Sequence, residues 1–212
     1  MTSPSNTDAV RDYVEGYISE DDVVVAARAR SIELGCPPVG VSGGAALRFL
    51  AAALRARAVV EVGTGCGVSG LWLLRGMAPD GVLTSIDVEP EHQRAARQAF
   101  NEAGYAAGRY RLIMGQALNV LPRLTDRGYD LVFVDAAKSE YVRYLDQGVR
   151  LLRPGGIIAF DHVLWSGRVT DPTQRDPDTS ALRDVARIVR DNDRLTPVLL
   201  PLGDGLLVAA VS

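Results

Sequence analysis

The sequence predicts an α/β fold: a doubly wound, mostly parallel seven-stranded sheet of Rossmann-like type, preceded by N-terminal helices and closed by a C-terminal antiparallel hairpin. Three observations predict it. An apolar, β-branched run at Ala58 to Val62 opens into the glycine loop Gly63-Thr64-Gly65-Cys66-Gly67 and then into a helically spaced apolar segment. From Ala58 onward strand-like and helix-like segments alternate, the pattern of a parallel sheet covered on both faces. Finally, two apolar runs at the C-terminus are joined by Gly203-Asp204-Gly205, which reads as a hairpin.

The elements follow in order. Residues 8–18 and 21–34 carry apolar residues at helical intervals, with Thr7 and Ser19 or Glu20 as plausible starts and Gly35 as a stop. Pro37-Pro38-Val39-Gly40-Val41-Ser42 cannot continue a helix and forms a loop placed to border a ligand; an alanine-rich helix runs from Gly43 or Gly44 to Arg55. Strands are expected at 58–62, 82–87, 110–114, 131–135 and 157–161. Three of them end in an acid, Asp87, Asp135 and Asp161, so these carboxylates line one rim, where open α/β sheets bind ligands. The Asp- and Pro-rich stretch 170–178 reads as a surface loop.

With 212 residues, 47% hydrophobic and 23% charged, the chain has the size and composition of one globular domain spanning 1–212, with helices over 1–56 and the sheet core over 57–212. A net charge of −3 leaves no electrostatic footprint for nucleic acid or a membrane surface. The polar start Met1 to Thr7 lacks the basic and apolar regions of a secretory leader, and no apolar run reaches the ~20 residues of a membrane span, so a cytoplasmic location is expected. Cys36 and Cys66 are too few and too distant in sequence for a disulfide framework; both read as small buried fillers.

The glycine loop needs backbone that turns sharply and lets a ligand approach, and the helix after it presents N–H groups to that ligand. Gly65-Cys66-Gly67-Val68-Ser69-Gly70 also satisfies the dinucleotide fingerprint, with Asp87 near the ~20-residue offset of a ribose-binding acid, so a nicotinamide-dependent oxidoreductase is an alternative. Glu61 favours a different ligand. A carboxylate at the mouth of the loop would repel a pyrophosphate and suit the ammonium and sulfonium charges of S-adenosylmethionine. Asp87 can accept two hydrogen bonds from ribose hydroxyls. Asp135, Asp161 and His162 bring two carboxylates and an imidazole to one rim, a donor set for a divalent cation, with imidazole tilting preference from Mg²⁺ towards a transition metal such as Mn²⁺.

The segments Glu61-Val62-Gly63-Thr64-Gly65, Ser85-Ile86-Asp87, Gly115-Gln116-Ala117-Leu118, Phe133-Val134-Asp135-Ala136-Ala137-Lys138, Asp161-His162-Val163-Leu164-Trp165 and Leu202-Gly203-Asp204-Gly205 together resemble the class I S-adenosylmethionine-dependent O-methyltransferases of the catechol and caffeoyl-coenzyme A type. The resemblance runs from about Pro37 to the C-terminus. It implies that Glu61, Gly63, Thr64 and Ser69 surround the methionine end of the cofactor, with Asp87 on the ribose, Ala117 beside the adenine and Val39 covering it. It also implies that Asp135 serves both halves of the site, and that Lys138 takes the proton of the acceptor hydroxyl. To do so Lys138 must shed its own proton, which burial and a neighbouring cation favour.

Two positions depart from the family pattern. His162 stands where similar enzymes have Asn, and Ala137 where those acting on coenzyme A thioesters commonly carry an acid. Trp165 could wall an aromatic acceptor by stacking. The implied reaction is methyl transfer to a hydroxyl of a small, catechol-like aromatic, in a homodimer whose apolar-faced N-terminal helices could pack across a two-fold axis. A cofactor-binding protein without catalysis is a further alternative.

Overall fold

The computed structural model describes residues 6–212, so the polar start read above as lacking a leader lies outside the described residues as far as Ser5. Two helices open it, α1 (Asn6–Glu15) and α2 (Asp22–Glu33). The first ends earlier than the periodicity suggests, at Gly16, whose N–H bonds back to Asp12. The second is capped by Asp21, whose carboxylate accepts from the N–H groups of Val23 and Val24 at 3.1 Å, and not by Ser19 or Glu20. Glu20 instead pairs with Arg28 at 2.6 Å. α3 (Val41–Ala53) starts at the loop's end, two residues before the expected glycines, because Glu15 accepts from the Ser42 N–H at 3.1 Å and so caps it from another helix.

The sheet then builds through β1 (Ala58–Val62), α4 (Val68–Gly76), β2 (Val82–Asp87), α5 (Pro90–Glu102), β3 (Tyr110–Met114), α6 (Ala117–Val120), β4 (Tyr129–Val134), α7 (Tyr141–Leu151), β5 (Leu152–Phe160), α8 (Pro177–Arg190), β6 (Leu195–Leu200) and β7 (Leu206–Val211). Strand order is β3-β2-β1-β4-β5-β7-β6; the first five are parallel and β7 runs antiparallel to both neighbours. β4 and β5 begin earlier than expected. Their register shifts between Tyr129 and Leu131, so the pair passes a bulge in which Pro154 and Gly155 stay exposed before the buried run from Ile158. Asp135 and Asp161 therefore follow their strands rather than closing them.

Alternation along β1 divides the core. Val59 packs with α2, α3, α4 and α5 around Trp72 and Phe100, whereas Val60 and Val62 pack with α7 and α8 around Tyr141, Phe160 and Leu182. Chain direction over the sheet reverses between β1 and β4, which opens a crevice at the carboxyl ends of the strands. Among the described residues no helix is long and apolar enough to cross a membrane.

Candidate active site

A cleft of about 450 Å³ occupies that crevice. Its floor is the end of β1, where Gly63 adopts φ +95° and a Cβ would lie 2.0 Å from the main-chain oxygen of Asp135. Only glycine lets the β1 and β4 chains run this close. The cleft is lined by the loop after β1 (Gly63, Thr64, Gly65, with Ser69 of α4), by Asp87, by Ala117 and by Asp135. Val39 closes it from the loop before α3, together with Pro37 and Pro38. The expected cofactor positions thus meet in one place, with one exception.

Glu61 is that exception. Expected at the mouth of the loop, it is fully buried and is not part of the cleft wall, because it shares the face of Val59 beneath α4. Ser69 donates to its Oε1 at 2.6 Å and Ser85 to its Oε2 at 2.5 Å, and Thr64 lies 2.7 Å from Ser85. Glu61 therefore acts on the cleft through Ser69 and Thr64. Burial outweighs the two serine hydrogen bonds and pushes its carboxyl up to about 7. A folded value above the ordinary glutamate value of 4.5 means that the fold favours the neutral acid, so this contribution to stability is present at acid pH and is lost as pH rises towards and through 7. Its size is on the order of 3 kcal/mol. Glu61→Gln is expected to remove it, so the difference in urea midpoint between variant and parent should favour the variant more at pH 8 than at pH 5. An equal difference at both pH values would contradict the assignment.

The Asp87 carboxylate is fixed on the cleft wall. Its Oδ2 accepts from the Gly65 N–H and its Oδ1 from the Glu89 N–H, both at 2.9 Å. His92, in the first turn of α5, brings Nδ1 to 3.5 Å from the same Oδ2 and also lines the cleft. Sequence reasoning passed over His92, although its place five residues after Asp87 at the start of a helix is a readable signal. It also passed over Glu140 and Tyr144, which line the cleft and are joined at 2.5 Å. Cys36 is a correction: half-buried rather than a core filler, it sits on the cleft wall, and burial pushes its thiol up to about 11, leaving it an inert neutral group. Cys66 is buried as expected.

Beside the cleft, Asp135, Asp161 and His162 bring their donor atoms within 4.8 Å of one another. His162 Nδ1 lies 3.2 Å from Asp135 Oδ1 and 3.5 Å from Asp161 Oδ2. His162 has φ +58°, a left-handed conformation that Asn and His tolerate better than most residues. Burial and then the neighbouring Asp135 raise the Asp161 carboxyl above the usual range. Burial acts the same way on Asp135, but the His162 hydrogen bond and the charge of Lys138 outweigh it and hold that carboxyl low. His162 is raised, chiefly by its hydrogen bond to Asp135. The Asp161 carboxylate is buried and accepts from the His162 N–H at 2.8 Å, and two carboxylates beside one imidazole make a donor set that suits a divalent cation.

Lys138 completes the cluster. It is buried at the turn before α7, donates to Asp135 Oδ1 at 2.8 Å and to Tyr141 Oη at 2.6 Å, and Tyr141 in turn donates to the main-chain oxygen of Asp161 at 2.9 Å. Trp165 places its ring 5.9 Å from Lys138 Nζ, in a turn where Trp165 and Ser166 both have positive φ. The β6–β7 turn pins that strained segment: Val163 N–H bonds to Gly205, Leu164 N–H to Asp204, and the Asp204 carboxylate accepts from Ser166 N–H at 2.7 Å. This is the role of the Gly203-Asp204-Gly205 hairpin turn. The stretch expected as a loop over 170–178 is shorter, since α8 begins at Pro177 with Asp176 as its cap.

A family model described as O-methyltransferase matches residues 24–211. A relative from Mycolicibacterium vanbaalenii, provisionally named an O-methyltransferase, is 56% identical over 203 residues, covering 96% of this chain and 90% of its own. A solved protein from Corynebacterium glutamicum superposes with TM-score 0.91 at 34% identity, covering 98% of both chains. The O-methyltransferase TomG of Streptomyces achromogenes, involved in tomaymycin synthesis and solved with S-adenosylmethionine, superposes with TM-score 0.86 at 31% identity over 96% of both chains.

Proposed function

The chain belongs to the O-methyltransferase family, and from that premise we propose that it transfers a methyl group from S-adenosylmethionine to a hydroxyl of a small, catechol-like aromatic, with a divalent cation held by Asp135, Asp161 and His162. The observation that carries this reading is the position of Asp135, which lines the cleft with one flank and joins the carboxylate–imidazole cluster with the other. A donor bound in the cleft and an acceptor at the cluster would meet there. When bound, the donor supplies an electrophilic methyl on sulfonium, and the cation, Mg²⁺ or a transition metal such as Mn²⁺, makes the acceptor hydroxyl more acidic.

The chain's own residues do the rest. Asp87 holds the ribose hydroxyls, Ala117 flanks the adenine, Gly63, Thr64 and Ser69 surround the methionine end, and Val39 covers it. Lys138 accepts the hydroxyl proton as the oxygen attacks the methyl carbon and the carbon–sulfur bond breaks, leaving S-adenosylhomocysteine and the methyl ether. Trp165 walls the acceptor ring. Ala137, small and uncharged on the cleft wall, favours a free small acceptor over a coenzyme A thioester.

Methyl-labelled donor incubated with a panel of catechols tests the reading. Products heavier by one labelled methyl group are expected, whereas the absence of any methylated catechol would contradict it. Asp87→Ala is expected to weaken S-adenosylhomocysteine binding by roughly 1–3 kcal/mol in calorimetry; unchanged affinity would remove Asp87 from the ribose.

We also propose a homodimer. Val10, Tyr13, Val14 and Tyr17 recur at helical spacing along and just beyond α1 and are 57%, 73%, 40% and 73% exposed, an apolar stripe that a second copy can cover. Light scattering should give twice the chain mass of 22.7 kDa; the monomer mass at micromolar concentration would refute this.

A further inference from the structure

We propose that a second cavity, between α8 and the edge strand β6, binds a small amphipathic anion: an apolar chain or ring carrying one carboxylate or sulfonate. This cavity also measures about 450 Å³, within the range of small-molecule sites, and shares no lining residue with the active-site cleft. Its floor is apolar and buried, made by Leu182 of α8, Leu207 of β7 and Val163. Leu164, Ala186 and Leu199 form the walls. Leu199 stays 49% exposed on a strand that pairs on one side only, so apolar surface here faces water that a ligand would displace.

Charge fixes the class of ligand. Among the described residues, the charged side chains lining the cavity are Arg183, Arg187 and Arg190, one to two turns apart along α8. Arg183 is committed to the wall: it donates to the main-chain oxygens of Val169 and Arg168 at 3.0 Å, to that of Gln174 at 2.6 Å, and to that of Asp171. Arg187 and Arg190 are different. Their partners are Asp184 at 3.2 Å and Asp191 at 2.8 Å, and all four side chains are more than half exposed. Such pairs are worth little in water, so either guanidinium can turn to a ligand's anionic head at small cost. An apolar pocket rimmed by two available guanidiniums matches an amphipathic anion and disfavours neutral and cationic amphiphiles.

Titrating the full chain with dodecanoate below its micelle concentration, in calorimetry, tests the site. One saturable site per chain is expected, with the same affinity whether or not S-adenosylhomocysteine is present. Dodecyltrimethylammonium should bind roughly tenfold more weakly or not at all, and the Arg187→Glu/Arg190→Glu double variant should lose dodecanoate affinity by a similar factor. Ala186→Trp, which fills the cavity, should abolish binding; S-adenosylhomocysteine titration of the same variant controls for its fold, and if that control fails the surface arginine variant decides. The proposal is overturned by non-saturable binding, by competition between dodecanoate and S-adenosylhomocysteine, or by a charge-reversed variant that binds dodecanoate as tightly as the parent.

Discussion

Asp161→Ala is expected to lower methyl transfer roughly a thousandfold while leaving S-adenosylhomocysteine affinity nearly unchanged. The two effects separate because Asp161 belongs to the cluster and not to the cleft wall. A neutral catechol oxygen is a poor nucleophile, and a cation beside it supplies several kcal/mol of charge stabilisation; at about 1.4 kcal/mol per decade of rate, its loss accounts for the expected drop. The substitution also takes away one of two crowded carboxylates, and the main-chain oxygen that Tyr141 binds is retained in alanine. The variant should therefore melt close to the parent. A joint loss of turnover and cofactor affinity would show instead that the rim had collapsed.

Lys138→Met should be nearly as severe, with kcat reduced by about 10²–10⁴-fold at saturating donor, the range for loss of a positioned proton acceptor. Methionine keeps the length and apolar stem that pack against the rings of Tyr141 and Trp165, 4.8 and 5.9 Å from the Lys138 nitrogen. What disappears is the nitrogen between Asp135 and Tyr141. The donor KM should change little, because Lys138 does not line the cleft. A kcat within a few fold of the parent would take the proton-transfer role away from Lys138 and leave His162 as the candidate base.

Much of this architecture is legible in the sequence for physical reasons. β1 and β2 lie where the β-branched runs place them, and the acids at the carboxyl ends of β2, β4 and β5 share a rim because parallel strands all present the same end. The hairpin is legible from its glycines, whereas its task of pinning the turn from Val163 to Ser166 is tertiary and had no local signal. The early start of β5 was hidden by Pro154-Gly155-Gly156, which reads as a turn yet is accommodated in a bulge. Glu61 shows a conflict between two signals. Its nearness to the glycine loop suggested the mouth of the site, but strand alternation puts it on the Val59 face, and alternation governs where the side chain goes. Cys36 reaches the cleft through packing of the loop after α2, which spacing alone does not encode, whereas His92 was legible from its place just after Asp87.

The proposed separation of a donor cleft from a cation site, joined at Asp135, is tested most directly by measuring turnover and S-adenosylhomocysteine affinity on the same sample before and after exhaustive chelation. The account predicts that chelation abolishes methylation of a catechol, that Mn²⁺ or Mg²⁺ restores it, and that the calorimetric affinity stays constant throughout. Undiminished methylation by the chelated protein would contradict it.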